Sequence, residues 1–126
     1  MSAEQPVVAL VAPPAQGERE AAFQAAVIEL AQLTGWLVYH THDARRSAPG
    51  WPDLALCKPP RLLLIELKTT HGRLRPEQLV WLTALAGCAG IEAAVWRPAD
   101  WPTIERALVS GERLSDGLDD RAPASA

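Results

Sequence analysis

The chain has 126 residues, 48% of them apolar, with 12 Lys and Arg against 15 Asp and Glu for a net charge of −3. That composition suits one globular domain with a real core and leaves too little chain for two. No run approaches the roughly 18 apolar residues that cross a bilayer. Pro6 to Ala12 is too short for a signal-peptide core and follows no basic residues, and Cys57 and Cys88 have no cysteine or histidine at ligand spacing, so a cytoplasmic protein with two buried free thiols is expected.

In chain order, residues 1–17 are rich in Ala, Pro and Gln without periodicity and read as a disordered or extended arm, with Pro6 to Ala12 a candidate edge strand. Glu18 to Thr34 reads as a helix capped by Gly35, with Phe23, Val27 and Leu30 as its apolar stripe and Glu20 on the same stripe one turn earlier. Trp36 to Thr41 reads as a strand and Asp43 to Pro52 as a loop. Leu54 to Cys57 and Leu62 to Ile65 read as a hairpin turning through Lys58-Pro59-Pro60-Arg61. After a polar loop, Pro76 begins a second helix to Ala86, Ile91 to Trp96 forms a fourth strand, and Asp100 caps a third helix over Trp101 to Val109. The domain is expected to run over 18–110, followed by a frayed acidic tail over 111–126.

The chemistry concentrates in Gly50-Trp51-Pro52-Asp53-Leu54, followed thirteen residues after the aspartate by Glu66-Leu67-Lys68. Side chains two apart on a strand share a face, so Glu66 and Lys68 point one way and Leu67 the other, into the core. A hairpin symmetric about Pro59-Pro60 pairs Cys57 with Leu62 and, counted outward, Asp53 with Glu66. Two carboxylates then face each other about 5 Å apart, which is unfavourable unless a cation lies between them. The window from His40 to Pro76 holds seven basic residues against three acidic, a balance of +4, while the remainder holds five against twelve, −7. Positive charge is therefore expected around the carboxylates, as a phosphate-binding surface requires; solvated surface arginines are the alternative. Arg45, Arg46, Arg73 and Arg75 are the candidate backbone contacts, with His42 beside them and Trp51 as a ring to stack on a base. His40, on a strand face with Val38, reads as a packed histidine more readily than as a proton-transfer group. Trp81 and Trp96 read as core.

These residues, together with Glu20-Ala21-Ala22-Phe23-Gln24, Gly35-Trp36, Gly72-Arg73-Leu74, Gln78-Leu79-Val80-Trp81-Leu82 and Trp96-Arg97-Pro98, resemble the PD-(D/E)XK nuclease superfamily and, within it, the virus-type replication-repair nuclease (VRR-NUC) branch. The resemblance implies an α/β restriction-endonuclease-like core, a mixed β-sheet flanked by helices in the order αβββαβ. It implies Mg²⁺ or Mn²⁺ held by Asp53, Glu66 and the Leu67 carbonyl, with Glu20 holding a metal or its water, and Lys68 and Gln78 completing the catalytic set. It further implies structure-selective endonucleolytic cleavage of branched DNA, such as Holliday junctions or flaps, in phage or prophage replication and repair. The small size suggests a homodimer. An exonuclease of the same fold and a non-catalytic DNA-binding scaffold are the alternatives, and a pure binder gains nothing from two acids facing a polyanion.

Overall fold

The computed structural model describes residues 10–14, 19–41 and 48–114. The elements follow the expected order: α1 (Glu20–Leu33), β1 (Leu37–His40), β2 (Leu54–Lys58), β3 (Arg61–Leu67), α2 (Pro76–Ala86), β4 (Ile91–Trp96) and α3 (Trp101–Val109). The strands form one open sheet in the order β1-β2-β3-β4. β1 with β2 and β2 with β3 are antiparallel, whereas β3 and β4 run parallel. A parallel pair needs a long crossover connection, and α2 supplies it.

Alternation along the central strands sorts the sheet into two layers. Leu54, Leu56, Leu63, Ile65, Leu67 and Trp96 pack with Phe23, Val27 and Leu30 of α1 and with Trp101, Ile104 and Leu108 of α3. Ala93 and Val95 face the other way, against Leu82 of α2 and Leu74. The α1 stripe is buried as its spacing predicts, and Gly35 takes φ +94° just beyond the Thr34 cap, a conformation in which a side chain would be strained. Trp36 links β1 to α3, its indole donating to the Leu108 carbonyl at 3.1 Å.

The hairpin register is the expected one: Cys57 pairs with Leu62 and Leu54 with Ile65. β3 runs two residues further than its apolar core suggests, because Glu66 and Leu67 pair with Val95 and Trp96. Glu66, one residue from the end of β3, is therefore still held in the ladder to β4 and is buried rather than solvated. Three expectations are revised. Cys57 is only half-buried and Cys88 is exposed, lying in the turn that leaves α2, where its thiol reaches the Ala84 carbonyl. Residues 10–14 do not form a strand, although Val11 is buried in the main core, and the rest of the candidate edge strand lies outside the described residues. At the start of the supposed tail, the Leu114 amide donates to Glu92 at 2.9 Å and Arg113 pairs with the same carboxylate, so residues 111–114 are tied to the sheet.

Candidate active site

Glu66 projects from β3 on the face covered by α2 and is 3% exposed. Its Oε2 accepts a hydrogen bond from Gln78 Nε2 at 2.7 Å and lies 3.6 Å from Lys68 Nζ. Its Oε1 is buried and has no hydrogen-bond partner. Burial, the neighbouring Asp53 carboxylate and, more weakly, Glu20 push the Glu66 carboxyl up to about 8, against the opposing pull of Lys68.

Asp53 precedes β2 by one residue, in the position the register assigns it opposite Glu66. Two backbone amides orient it: Leu67 N–H donates to Oδ2 at 2.9 Å, and Thr41 N–H donates to the Asp53 carbonyl at 3.3 Å. The two carboxylates come within hydrogen-bonding reach of one another.

Gln78 is the third residue of α2, and its amide is shared between two tasks. Oε1 accepts the Arg75 amide at 2.8 Å, capping the helix start, while Nε2 is left to face Glu66. Because a backbone N–H is always a donor, the Arg75 contact fixes which end of the amide meets the carboxylate. Pro76 at the first helical position makes this turn rigid.

The Gly50-Trp51-Pro52-Asp53 segment lies against the same helix. Gly50 has φ +90°, and a Cβ there would stand 2.4 Å from the Glu77 carbonyl oxygen, so only glycine allows this approach. Trp51 packs edge-on against Trp81, with ring centroids 5.0 Å apart, and Trp81 Nε1 donates to the Pro49 carbonyl at 3.0 Å. Trp81 is thus half-buried against the motif loop rather than a core residue, and Trp51 already has a ring partner. On the other side of Lys68, the buried Arg97 donates through Nη1 to the carbonyls of Thr69 and Gly72, at 2.8 and 2.6 Å, and holds the turn that follows. Sequence reasoning assigned no role to Gly50, Trp81 or Arg97 in holding the site. The available signal was that Gly50 and Trp81 both flank functional candidates, but a loop-to-helix contact has no sequence period.

The remaining candidates separate. Glu20 is exposed at the first position of α1, and only its charge is felt at Glu66. Arg73 and Arg75 are exposed, Arg75 within 3.3 Å of Glu77. His42, Arg45 and Arg46 lie outside the described residues. Lys58 and Arg61 do not surround the site: they face each other at the hairpin end of β2 and β3, about 17 Å from Glu66 at a strand's rise per residue, where Lys58 donates to the Thr34 carbonyl and Arg61 pairs with Glu92. A charge window along the sequence merges the two ends of a strand that space keeps apart.

The donor chemistry suits a hard divalent cation: two carboxylates side by side, one with a buried oxygen that nothing satisfies. Among the described residues no three His, Cys, Asp or Glu side chains gather closely enough to form a metal cluster, so a cation here would take two side-chain donors and draw further ones from the main chain or water. No described helix is long and apolar enough to cross a membrane.

No curated protein and no solved structure matches the chain. The family model for the VRR-NUC domain matches residues 6–100, a span that contains the four-stranded mixed sheet, α1, α2 and all the side chains gathered around Glu66. The chain therefore belongs to the VRR-NUC family, a family of nucleases with the α/β fold described above.

Proposed function

We propose that this protein is a Mg²⁺- or Mn²⁺-dependent DNA endonuclease that hydrolyses phosphodiester bonds, with Asp53, Glu66 and the Leu67 carbonyl as metal ligands and Lys68, Gln78 and Glu20 in supporting roles. The observation that carries the reading is the Glu66–Asp53 pair. Both carboxylates are held against each other although Glu66 is pushed up to about 8 and keeps one oxygen unsatisfied, a cost that a fold without a cation to bind would have no reason to retain.

Such an ion would activate a water and offset charge on the scissile phosphate. The chain's own groups do the rest. The Leu67 amide orients Asp53, Gln78 orients Glu66, and the Lys68 ammonium, 3.6 Å from Glu66, stands where negative charge would develop on a bound phosphate. The Arg97-braced turn fixes the backbone that follows Lys68. Arg45, Arg46, Arg73, Arg75 and His42 are proposed to hold the DNA backbone, and Trp51 to contact a base with the part of its ring that Trp81 leaves free.

Branched DNA is the proposed substrate, cut as Holliday junctions or flaps by a homodimer with two sites, in phage or prophage replication and repair. No described element is long enough to read a groove base by base, so selectivity would rest on backbone shape and flexibility. The test is incubation with linear, flapped and four-way DNA, with Mn²⁺ and with EDTA, for the wild type and Asp53→Asn. Metal-dependent paired nicks in opposing strands of the junction, lost in the variant, are expected. Progressive degradation of linear ends would replace the junction reading with an exonuclease, and full activity in EDTA would overturn the site.

A further inference from the structure

Three consecutive contacts tie the motif loop and Glu66 to a single stretch of α2. The Glu77 carbonyl lies directly beneath Gly50, Gln78 Nε2 bonds Glu66, and Trp81 bonds the Pro49 carbonyl while its ring meets Trp51. Residues 77 and 81 are one helical turn apart and share a face, with 78 beside them. One rigid turn of helix therefore touches both strands' contributions: Glu66 directly, and Asp53 through a loop that leaves α2 only three residues earlier. Pro52, with its fixed φ, leaves little slack between that loop and Asp53.

We propose that Gly50 and Trp81 are positioning residues that set the spacing of Asp53 and Glu66 by seating the motif loop on α2. The inference rests on the metal-site reading of those carboxylates and goes beyond it in assigning α2 as the common template. Among the described residues, the backbone amides that hold Asp53 are those of Thr41 and Leu67, which fix its hydrogen bonds but not the path of the loop before it. A side chain at Gly50 must lift the loop, because the obstacle is backbone, at 2.4 Å from the Glu77 oxygen and 2.5 Å from its carbon. Removing the Trp81 indole takes away both the hydrogen bond to Pro49 and the ring under Trp51.

The experiment titrates Mn²⁺ alone, without DNA, into wild type, Gly50→Ala, Trp81→Leu and Leu85→Ala by calorimetry, with thermal melts of the metal-free proteins alongside. Leu85 packs against the Leu74, Leu82, Ala93 and Val95 cluster and makes none of the three contacts above, so Leu85→Ala is expected to lower the melting temperature and leave the Mn²⁺ Kd unchanged. Gly50→Ala is expected to weaken Mn²⁺ about tenfold or more and Trp81→Leu severalfold, the size of effect known for groups that orient metal ligands. Turnover on DNA should fall in parallel while KM stays within about twofold. If Gly50→Ala does not fold, Trp81→Leu decides. An Mn²⁺ Kd in Trp81→Leu equal to wild type, or an equal weakening in Leu85→Ala, overturns the positioning role while leaving the metal site intact. Absence of Mn²⁺ binding to the wild type overturns both.

Discussion

Glu66 and Glu92 are two glutamates on adjacent strands, 3% and 5% exposed, and they have opposite electrostatic fates. Glu92 pairs in register with Leu63 and points to the α1/α3 face, about 10 Å along the sheet from Glu66. Arg61 grips it with two bonds, Nε to Oε2 at 2.9 Å and Nη2 to Oε1 at 2.8 Å, and Leu114 N–H and Arg113 add to them. Arg61 is itself anchored by the Ala107 carbonyl and lies over the Trp36 ring. Burial alone would raise the Glu92 carboxyl, but the bonds from Arg61 and the Leu114 amide, with the charges of Arg61 and Arg113, bring it below its ordinary value. Glu66 has one amide donor, one ammonium at 3.6 Å and a second carboxylate against it. The same residue type at the same burial is fully satisfied where it holds the fold together and left in deficit where a ligand is to arrive. Burial of an acid therefore says little until its partners are counted.

The largest test of this contrast is catalytic. Glu66→Gln should lower the initial rate of DNA cleavage by about a hundredfold to a thousandfold or more, while Glu92→Gln, assayed at a temperature where it is folded, should cut at near the wild-type rate. Equal loss in the two variants would erase the distinction. The stabilities should reverse: Glu92→Gln leaves Arg61 short of its counter-charge in the interior and is expected to cost about 3 kcal/mol in urea unfolding, whereas Glu66→Gln should be neutral or stabilising in the absence of metal.

The pH dependences carry opposite signs. For Glu66, with its folded value near 8 against an ordinary 4.5, the unfolded chain releases its proton first as pH rises. Its contribution therefore destabilises progressively from about pH 4.5 to 8, by at most about 1.4 kcal/mol per pH unit. For Glu92 the folded value is lowered from an ordinary 4.5, so its contribution is present above that pH and fades as pH falls below it. Urea titrations should show the loss between about pH 5 and 8 removed by Glu66→Gln and the acid-side loss reduced by Glu92→Gln. A wild type equally stable across that range, with Glu66→Gln unchanged, would refute the deficit at Glu66. The smallest effect is ligand linkage: Mn²⁺ at about a hundred times its Kd should add about 2.7 kcal/mol, seen as a rise of roughly 10 °C in melting temperature, retained in Glu92→Gln and absent in Glu66→Gln.

Much of this molecule is determined by local pattern. The apolar stripe of α1, the apolar run of β3 and the prolines opening α2 and α3 set the elements, because helix and strand periods and proline's fixed φ are properties of short segments. The short Pro-Pro turn set the hairpin register, and with it the approach of Asp53 to Glu66. What the tertiary structure alone decided is which groups those elements bring together. The described basic residues of one sequence window divide between two ends of a strand, Glu20 stays exposed at its helix start, and Arg61 becomes a half-buried partner of a glutamate 31 positions away. Gly50 and Trp81 acquire meaning only because the motif loop lies on α2. Such contacts arise from how layers stack, and stacking joins residues whose separation in the chain carries no period.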